Sequence, residues 1–218
     1  MNCKNCGSSN CIKKGKRREK QRYYCKTCSC NFQSGYHYNA YHKNTDTLIC
    51  SFLKEGCGIR SISRITRISK NTVLSRILKI SKQIKPPMFS KSGCKFEVDE
   101  LWSFVGHKKN VVWITYAIER ETKKVIGFYV GGKSKLTIKP LVDTLLSLRP
   151  RRIYTDRLNI YPSLIPGRIH KVFQYCTNTI ERMNLTLRTH IKRLARKTIC
   201  FSRNKIYLEA HLRIYFWG

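Results

Sequence analysis

The chain has 218 residues, with 44 lysines and arginines against 12 aspartates and glutamates and a formal net charge of +32. At 41% hydrophobic and 11% aromatic residues it is too apolar for a disordered basic tail and long enough for one or two domains. No apolar run approaches the ~20 residues that cross a bilayer, so we expect neither a membrane span nor a secretory signal. A charge this high predicts a nucleic-acid partner, and double-stranded DNA and a structural RNA satisfy it equally well.

The first predicted element is built on two cysteine pairs. Cys3 and Cys6 are separated by two residues, as are Cys25 and Cys28, and 18 residues lie between the pairs. Four thiolates at this spacing can surround one Zn²⁺, which predicts a zinc ribbon over residues 1–35 with a basic hairpin between the pairs. Because four thiolates close the coordination sphere, we expect the zinc to be structural.

Two alternatives stay open for these cysteines. Cys11 and Cys30 lie close enough in sequence to replace one ligand, and the pairs could also be free, incidental cysteines. The remaining cysteines of the 11 have no ligand spacing and are expected to be small apolar fillers. A disulfide framework is not expected in a chain without a secretory signal.

Residues 43–85 show apolar residues at helical spacing in three short stretches. The first stretch ends at Gly56-Cys57-Gly58, the second carries isoleucines at 59, 62, 65 and 68, and Ser69 caps the third. Three short helices with a tight turn before the last predict a helix-turn-helix DNA-binding domain. The residues expected to contact DNA are Lys70, Asn71, Thr72, Ser75, Arg76 and Lys79. An ordinary three-helix bundle with a solvated basic face is the alternative, and prolines then predict a linker over 85–93.

The second half, residues 94–218, predicts a mixed sheet flanked by helices, an α/β catalytic-domain pattern. Strands are predicted at 96–105, 111–118 and 123–130, a helix at 136–148, extended segments at 152–155 and 169–173, and a long helix at about 179–197.

Three of the few acidic residues lie in apolar surroundings. Asp99 is within the first of these strands, Asp156 ends a later one, and Glu181 lies in the first turn of the long helix. Carboxylates brought together from two strands and a helix repel one another and are held by divalent cations, and two Mg²⁺ ions can support phosphoryl transfer. Glu97 shares the strand face of Asp99 by period two and is the expected accessory ligand, whereas Glu100 points the other way.

The long helix is strongly basic, which predicts a phosphate backbone beside it. The residues expected to bind DNA there are Arg182, Asn184, Arg188, Arg193, Arg196 and Lys197. Local alternatives stay open for this half: Asp156 could begin a turn, Glu181 could complete a capping box, and the basic helix could be solvated.

Several segments of this half carry a family resemblance. They are Val98-Asp99-Glu100-Leu101-Trp102, Thr155-Asp156 followed by Tyr161, and the run from Ile180 to Arg188 that continues to Ser202. With the cysteine pairs and the helix-turn-helix, nearly the whole chain resembles a transposase of the insertion-sequence-one family. One position departs from the family pattern, since Arg157 stands where a glycine usually follows the second aspartate.

The resemblance implies a ribonuclease-H-like α/β domain over 94–218 in which Asp99, Asp156 and Glu181 bind two Mg²⁺ or Mn²⁺ ions. It implies a DNA transposase that binds terminal inverted repeats, cuts the transposon ends and joins the 3′-hydroxyls to target DNA by direct transesterification. A homodimer or higher oligomer and a cytoplasmic, nucleoid-associated location in a prokaryotic host follow from it. A non-catalytic, sequence-specific DNA-binding protein and a stand-alone metal-dependent nuclease stay open as alternatives.

Overall fold

The predicted basic hairpin is the first element of the structure, a computed structural model that describes residues 1–17, 19–36, 38–88 and 92–218. Strands β1 (Cys11–Arg17) and β2 (Lys20–Cys25) pair antiparallel, and β3 (Asn31–Gln33) pairs with the other edge of β2. These strands belong to the smaller of two units, Met1–His42, whereas the larger unit comprises Lys43–Gly218. Within the described ranges, no helix has both the length and the apolar character needed to cross a membrane.

The three predicted short helices are present at the start of the larger unit. They are α1 (Thr45–Lys54), α2 (Ile59–Thr66) and α3 (Lys70–Gln83). Ser69 caps α3 as predicted, because its hydroxyl accepts a hydrogen bond from the Thr72 amide at 3.1 Å. Part of the linker predicted after α3, residues 89–91, lies outside the described residues.

The isoleucine stripe of α2 enters the interior only in part. Ile62 is fully buried, but Ile65 is 57% exposed. Arg67 adopts a left-handed conformation with φ 53° and ends the helix, and the turn brings Ile68 into the core instead.

A five-stranded mixed sheet follows, with the strand order β6-β5-β4-β7-β8. Its strands are β4 (Lys95–Phe104), β5 (Val111–Glu119), β6 (Val125–Gly131), β7 (Arg152–Tyr154) and β8 (His170–Lys171). The first three form the predicted antiparallel meander, while β7 and β8 run parallel to β4 and place their carboxyl ends at the same edge as its carboxyl end.

Helices cover both faces of this sheet, because alternate residues of β5 point in opposite directions. Ala117 packs in an apolar cluster with α4 (Lys135–Ser147), whereas Tyr116 packs in a second cluster with α5 (Asn178–His190) and α6 (Lys205–Trp217). The mixed α/β architecture predicted for this half is therefore confirmed.

The predicted long helix is shorter than expected. It ends at His190, after which Ile191 is extended and residues 192–194 form one 3-10 turn. Ile191 and Leu194 are both buried in the cluster beneath α5. The helix prediction to residue 197 was wrong because these side chains reach the core through a bend in the chain.

Helix α6 joins the three short helices to the sheet. It packs against α1, α3 and β6. The Arg213 guanidinium donates to the Ile84 carbonyl at 3.2 Å, and the Trp217 indole donates to the Val125 carbonyl at 2.9 Å. At the α1–α2 turn, Gly56 packs so closely on the His190 carbonyl that a Cβ would lie 2.5 Å from its oxygen. Helices α1–α3 and the sheet therefore form one compact unit.

Candidate active site and metal centre

The four predicted zinc ligands meet in the smaller unit. The Sγ atoms of Cys3 and Cys28 are 3.6 Å apart, as are those of Cys6 and Cys25, and all four sulfurs lie within 4.8 Å of one another. Sulfurs placed tetrahedrally about 2.3 Å from a Zn²⁺ ion are separated by about 3.8 Å. The spacing of these thiols therefore fits one zinc ion.

Backbone amides around the second pair favour the thiolate form that zinc binds. Hydrogen bonds from the Cys28 and Thr27 amides lower the pKa of Cys25 to about 6. Cys11 and Cys30 stand outside the four-sulfur group, because their thiols donate to the carbonyls of Ser8 and Asn31 and burial raises their pKa values.

A second potential metal centre lies in the larger unit, where β7 ends beside the middle of β4. Carboxylate oxygens of Asp99, Glu100 and Asp156 lie within 4.8 Å of one another. The parallel register pairs Glu97 of β4 with Tyr154 of β7, so the residues two positions further along both strands lie side by side. The sheet thus brings together two of the three carboxylates predicted to be catalytic.

Asp99 is held rigidly in this cluster. Its Oδ2 accepts a hydrogen bond from the Asn184 amide of α5 at 2.6 Å, and its Oδ1 accepts one from the Glu100 backbone at 2.7 Å. Burial, together with the nearby carboxylates of Glu100 and Asp156, raises the pKa of Asp99 to about 7. A divalent cation between these groups would offset the unfavourable charge.

Glu100 takes the place that the strand pattern assigned to Glu97, which corrects the accessory-ligand prediction. The Tyr161 hydroxyl donates to one oxygen of the buried Glu100 carboxylate, and the Lys133 ammonium lies 3.1 Å from the other. Asp156 follows the end of β7, where residues from both faces of β4 can reach it, so alternation along β4 did not exclude Glu100.

Glu97, on the same face of β4 as Asp99, has a structural role instead. Its Oε2 accepts a hydrogen bond from the Ile180 amide in the first turn of α5 at 2.9 Å, and its Oε1 pairs with Arg120 at 3.0 Å. A buried carboxylate satisfied in this way ties α5 to the sheet and is not part of the acidic cluster.

The third predicted catalytic acid, Glu181, is exposed in the first turn of α5 and lies outside the acidic cluster. It accepts a hydrogen bond from the Thr177 hydroxyl at 2.8 Å, which is a local capping interaction. It precedes Asn184 by one helical turn, and Asn184 contacts Asp99. Glu181 therefore lies on the α5 face that points toward the cluster.

The basic residues predicted to bind DNA around α5 separate into two groups. Arg182, Arg196 and Lys197 are exposed, whereas the guanidinium of Arg193 turns inward and donates to the Ser202 hydroxyl at 2.7 Å. Burial lowers the pKa of Arg193 to about 10. Arg193 thus lies neither on α5 nor on an exposed basic face, contrary to the sequence-based expectation.

Arg188 occupies an intermediate position near the acids. Burial and the charge of Arg196 lower its pKa, while the charge of Asp99 raises it. Its buried Nε atom has no hydrogen-bond partner among the described residues. The Arg188 side chain as a whole is half-buried.

On α3, Lys70, Asn71, Ser75 and Lys79 are exposed, as expected of a DNA-contacting face. The other two predicted residues have partners within the protein. The Thr72 hydroxyl hydrogen-bonds with that of Ser69 at 2.8 Å, and Arg76 forms a salt bridge with Asp46 at 3.1 Å.

Arg157 does not disturb the second aspartate. The Leu158 amide donates to the Asp156 Oδ1 atom at 3.0 Å, which forms a short turn, and the Arg157 side chain is exposed. The sequence-based reasoning missed Lys133, whose contact with Glu100 has no local signal, while Tyr161 was visible only as part of the family-like segment.

Comparisons with known proteins match the same half of the chain. A family model described as IS1 transposase covers residues 94–215. The protein is 40% identical over 118 residues to the insertion element iso-IS1n protein InsB of Shigella dysenteriae, covering 54% of this chain and 88% of that protein. It is 35% identical over 118 residues to the insertion element IS1 4 protein InsB of Escherichia coli (strain K12), covering 54% and 69%.

A solved structure was also matched, the CryoEM structure of a simian T-cell lymphotropic virus intasome in complex with PP2A regulatory subunit B56 gamma. The TM-score is 0.34 at 16% sequence identity, with 65% of this chain and 59% of that chain covered. A likeness at this level does not establish a common fold.

Proposed function

The chain belongs to the IS1 transposase family, and from this premise we propose that it is a metal-dependent DNA transposase. It would bind the terminal inverted repeats of its element, cut the transposon ends and join the freed 3′-hydroxyls to target DNA. The observation that carries the proposal is the cluster of Asp99, Glu100 and Asp156 on the sheet of a chain with net charge +32. Acids placed together in so basic a protein are suited to cations that face a phosphate backbone.

The proposed catalytic metals are two Mg²⁺ or Mn²⁺ ions held by Asp99 and Asp156, with Glu181 as the third ligand. Glu181 would exchange its hydrogen bond with Thr177 for the metal. When bound, such ions activate the attacking oxygen and stabilise the leaving oxygen of phosphoryl transfer.

The other residues at the site orient these acids. Asn184 fixes the Asp99 carboxylate, while Tyr161 and Lys133 fix Glu100 from its two sides. Arg188 would neutralise the phosphate, since its half-buried guanidinium is close enough to Asp99 to interact with its charge.

We assign residues 94–218 to the ribonuclease-H-like class. The assignment is supported by three antiparallel strands followed by two parallel ones, with helices on both faces. Asp99 on the central strand and Asp156 after its parallel neighbour fit the positions that a two-metal site needs.

Recognition of the transposon ends would fall to the zinc ribbon and to α3. The exposed residues of α3 would contact DNA in the major groove, with Arg76 released from Asp46 or kept as a support for the helix. Cutting and joining two ends together requires at least two protomers, so we propose a homodimer or higher oligomer on DNA.

The experiment is strand transfer in vitro with the purified chain, Mg²⁺ or Mn²⁺, and a labelled duplex from the end of the element. Asp156→Asn tests the acidic cluster, and Asp143→Asn, at an exposed acid of α4, is the matched control. We expect joined products from the wild type and the control but none from Asp156→Asn. Cleavage without joining would indicate a nuclease, and tight binding by all three proteins without product would indicate a non-catalytic DNA-binding protein.

A further inference from the structure

A short segment between β8 and α5 presents aromatic side chains to solvent. Val172 is 41% exposed, Phe173 55% and Tyr175 70%. Large apolar side chains at this exposure in neighbouring positions are typical of a binding surface.

The segment is anchored at both ends beside the second aspartate. Cys176 is buried, and its thiol donates to the Thr155 carbonyl at 3.4 Å. The Thr155 amide donates to the Lys171 carbonyl at 3.3 Å. Thr155 directly precedes Asp156, so the aromatic tip is tied to the backbone that carries a carboxylate of the proposed active site.

The backbone at Tyr175 has a conformation that side chains other than glycine seldom adopt. Its φ is +64°, while Cys176 immediately after it turns into the interior. Conformations of this kind persist where the surroundings enforce them and are frequent at binding and catalytic sites. Here the left-handed residue directs its ring outward.

The Phe173 ring packs against the protein. Its ring meets that of Tyr154 edge to face, with 6.0 Å between centroids and an interplanar angle of 84°. The Arg120 guanidinium lies 4.4 Å from the Tyr154 centroid. These contacts hold the Phe173 ring in place at the start of the segment.

The chemistry of the segment differs from that of the basic surface around it. Aromatic rings do not neutralise phosphates, but they stack on nucleobases once a base has left the duplex. Lys171, directly before the segment, and Arg157, directly after Asp156, are exposed and supply charge for the adjoining backbone. The combination fits a nucleotide whose base is unpaired.

We propose that Tyr175, supported by Phe173, stacks on an unpaired base of the DNA strand where the duplex opens beside the scissile phosphate. The inference rests on the proposed function, because it assumes that DNA is cut at the acidic cluster. Stacking on the protein ring would compensate for the base stacking lost on opening and would hold the cleaved strand in position.

The test compares cleavage rates on two end duplexes, one fully paired and one with mismatched base pairs at the cleavage position. The variants are Tyr175→Ala and Tyr175→Gly, the second of which removes the ring and relieves the left-handed backbone at once. Tyr175→Phe keeps the ring, and Tyr129→Ala removes an exposed ring on β6 as a control.

On the paired duplex we expect Tyr175→Ala and Tyr175→Gly to cleave about tenfold more slowly or worse, since stacking supplies this much per base. The mismatched duplex should restore most of the rate, and Tyr175→Phe and Tyr129→Ala should match the wild type.

Other results would reject either the proposed function or the stacking role of Tyr175. An inactive wild type would reject the proposed function itself. If the wild type is active and Tyr175→Gly cleaves at the same rate, the stacking role is overturned and the proposed function stays in place. The same holds if the Tyr175→Gly defect has the same size on both duplexes. A defect that instead follows a change in oligomeric state by light scattering would assign the segment to a protein contact and would also overturn it.

Discussion

The smaller and the larger unit of this protein are each stabilised in a different way. The described core of the smaller unit consists of Cys3, Cys25 and Phe32, and two of these are zinc-ligand candidates. The larger unit has two extensive apolar clusters, one on each face of its sheet. A unit of 42 residues cannot bury enough apolar surface to be stable alone, so we expect coordination to replace the core there.

The largest expected effect is the loss of zinc. Chelation or Cys25→Ser should unfold the smaller unit, because structural zinc contributes on the order of 10 kcal/mol to such folds. All three tryptophans, at positions 102, 113 and 217, lie in the larger unit, so the thermal transition followed by tryptophan fluorescence should stay unchanged. Limited proteolysis would report the smaller unit. Cys11→Ser is the control. If both units unfolded together, the larger unit would also depend on zinc, and the contrast between the two units would be wrong.

A cavity in the larger unit should destabilise that unit and leave the smaller, zinc-binding unit folded. Ile114 is fully buried on β5, and Ile114→Ala should lower the free energy of unfolding by about 2–5 kcal/mol. The loss would appear in urea unfolding followed by tryptophan fluorescence, with zinc content unaltered. Ile206→Ala, at an exposed isoleucine of α6, should change little. A zinc-free Ile114→Ala protein would show that the units are not independent.

The regular elements of both units could be predicted because periodicity is a local property of the sequence. The nearly continuous apolar run of β5 and the Ser69 cap of α3 are read directly from neighbouring residues. The end of α5 could not be predicted in this way. Leu187, Ile191 and Leu194 have helical spacing, yet Ile191 is extended and all three are buried in the same cluster.

The same limit applies to the acidic cluster. Asp99 and Asp156 were predicted to meet because their strands were recognised, and the parallel register places them together. Glu100 was not predicted, since alternation along β4 points it away and its partners Lys133 and Tyr161 are distant in sequence. The position of Glu181 in the reaction stays a prediction.

Acid should destabilise the larger unit through His211. Burial, with the charge of Arg193, lowers the pKa of His211 to about 3, whereas an unfolded histidine titrates near 6.5. The unfolded chain therefore binds the proton first, and stability is lost as pH falls from about 6.5 toward 3. Between pH 7 and pH 5 this loss should reach about 2 kcal/mol.

His211→Gln isolates this contribution, because it keeps a neutral polar side chain at the site. Asp99 acts in the opposite direction, since its raised pKa of about 7 favours the folded state as pH falls. Urea unfolding of the metal-free protein at pH 7 and pH 5, followed by tryptophan fluorescence, measures the change in the free energy of unfolding between the two pH values. This change should be less favourable in the wild type than in His211→Gln by about 2 kcal/mol. Equal changes in the two proteins would exclude a contribution from His211.

The smallest expected effect tests whether α1–α3 fold with the sheet. Ser69→Ala removes the α3 cap and should lower the free energy of unfolding by about 1 kcal/mol. Because α3 packs against α6, circular dichroism and tryptophan fluorescence should shift together. Ser75→Ala, at an exposed position of α3, is the control. A helical transition that precedes the tryptophan transition would separate the helices from the sheet.

The close packing of Gly56 on the His190 carbonyl has a consequence for the DNA that this protein would use. Because α3 and the acidic cluster belong to one compact unit, the proposed base contacts and the proposed cleavage point are separated by a fixed distance. The end of the element must then match that length in base pairs. Inserting about five base pairs, half a turn of the double helix, between the two would turn the recognised bases to the wrong side and abolish cutting without changing a single recognised base.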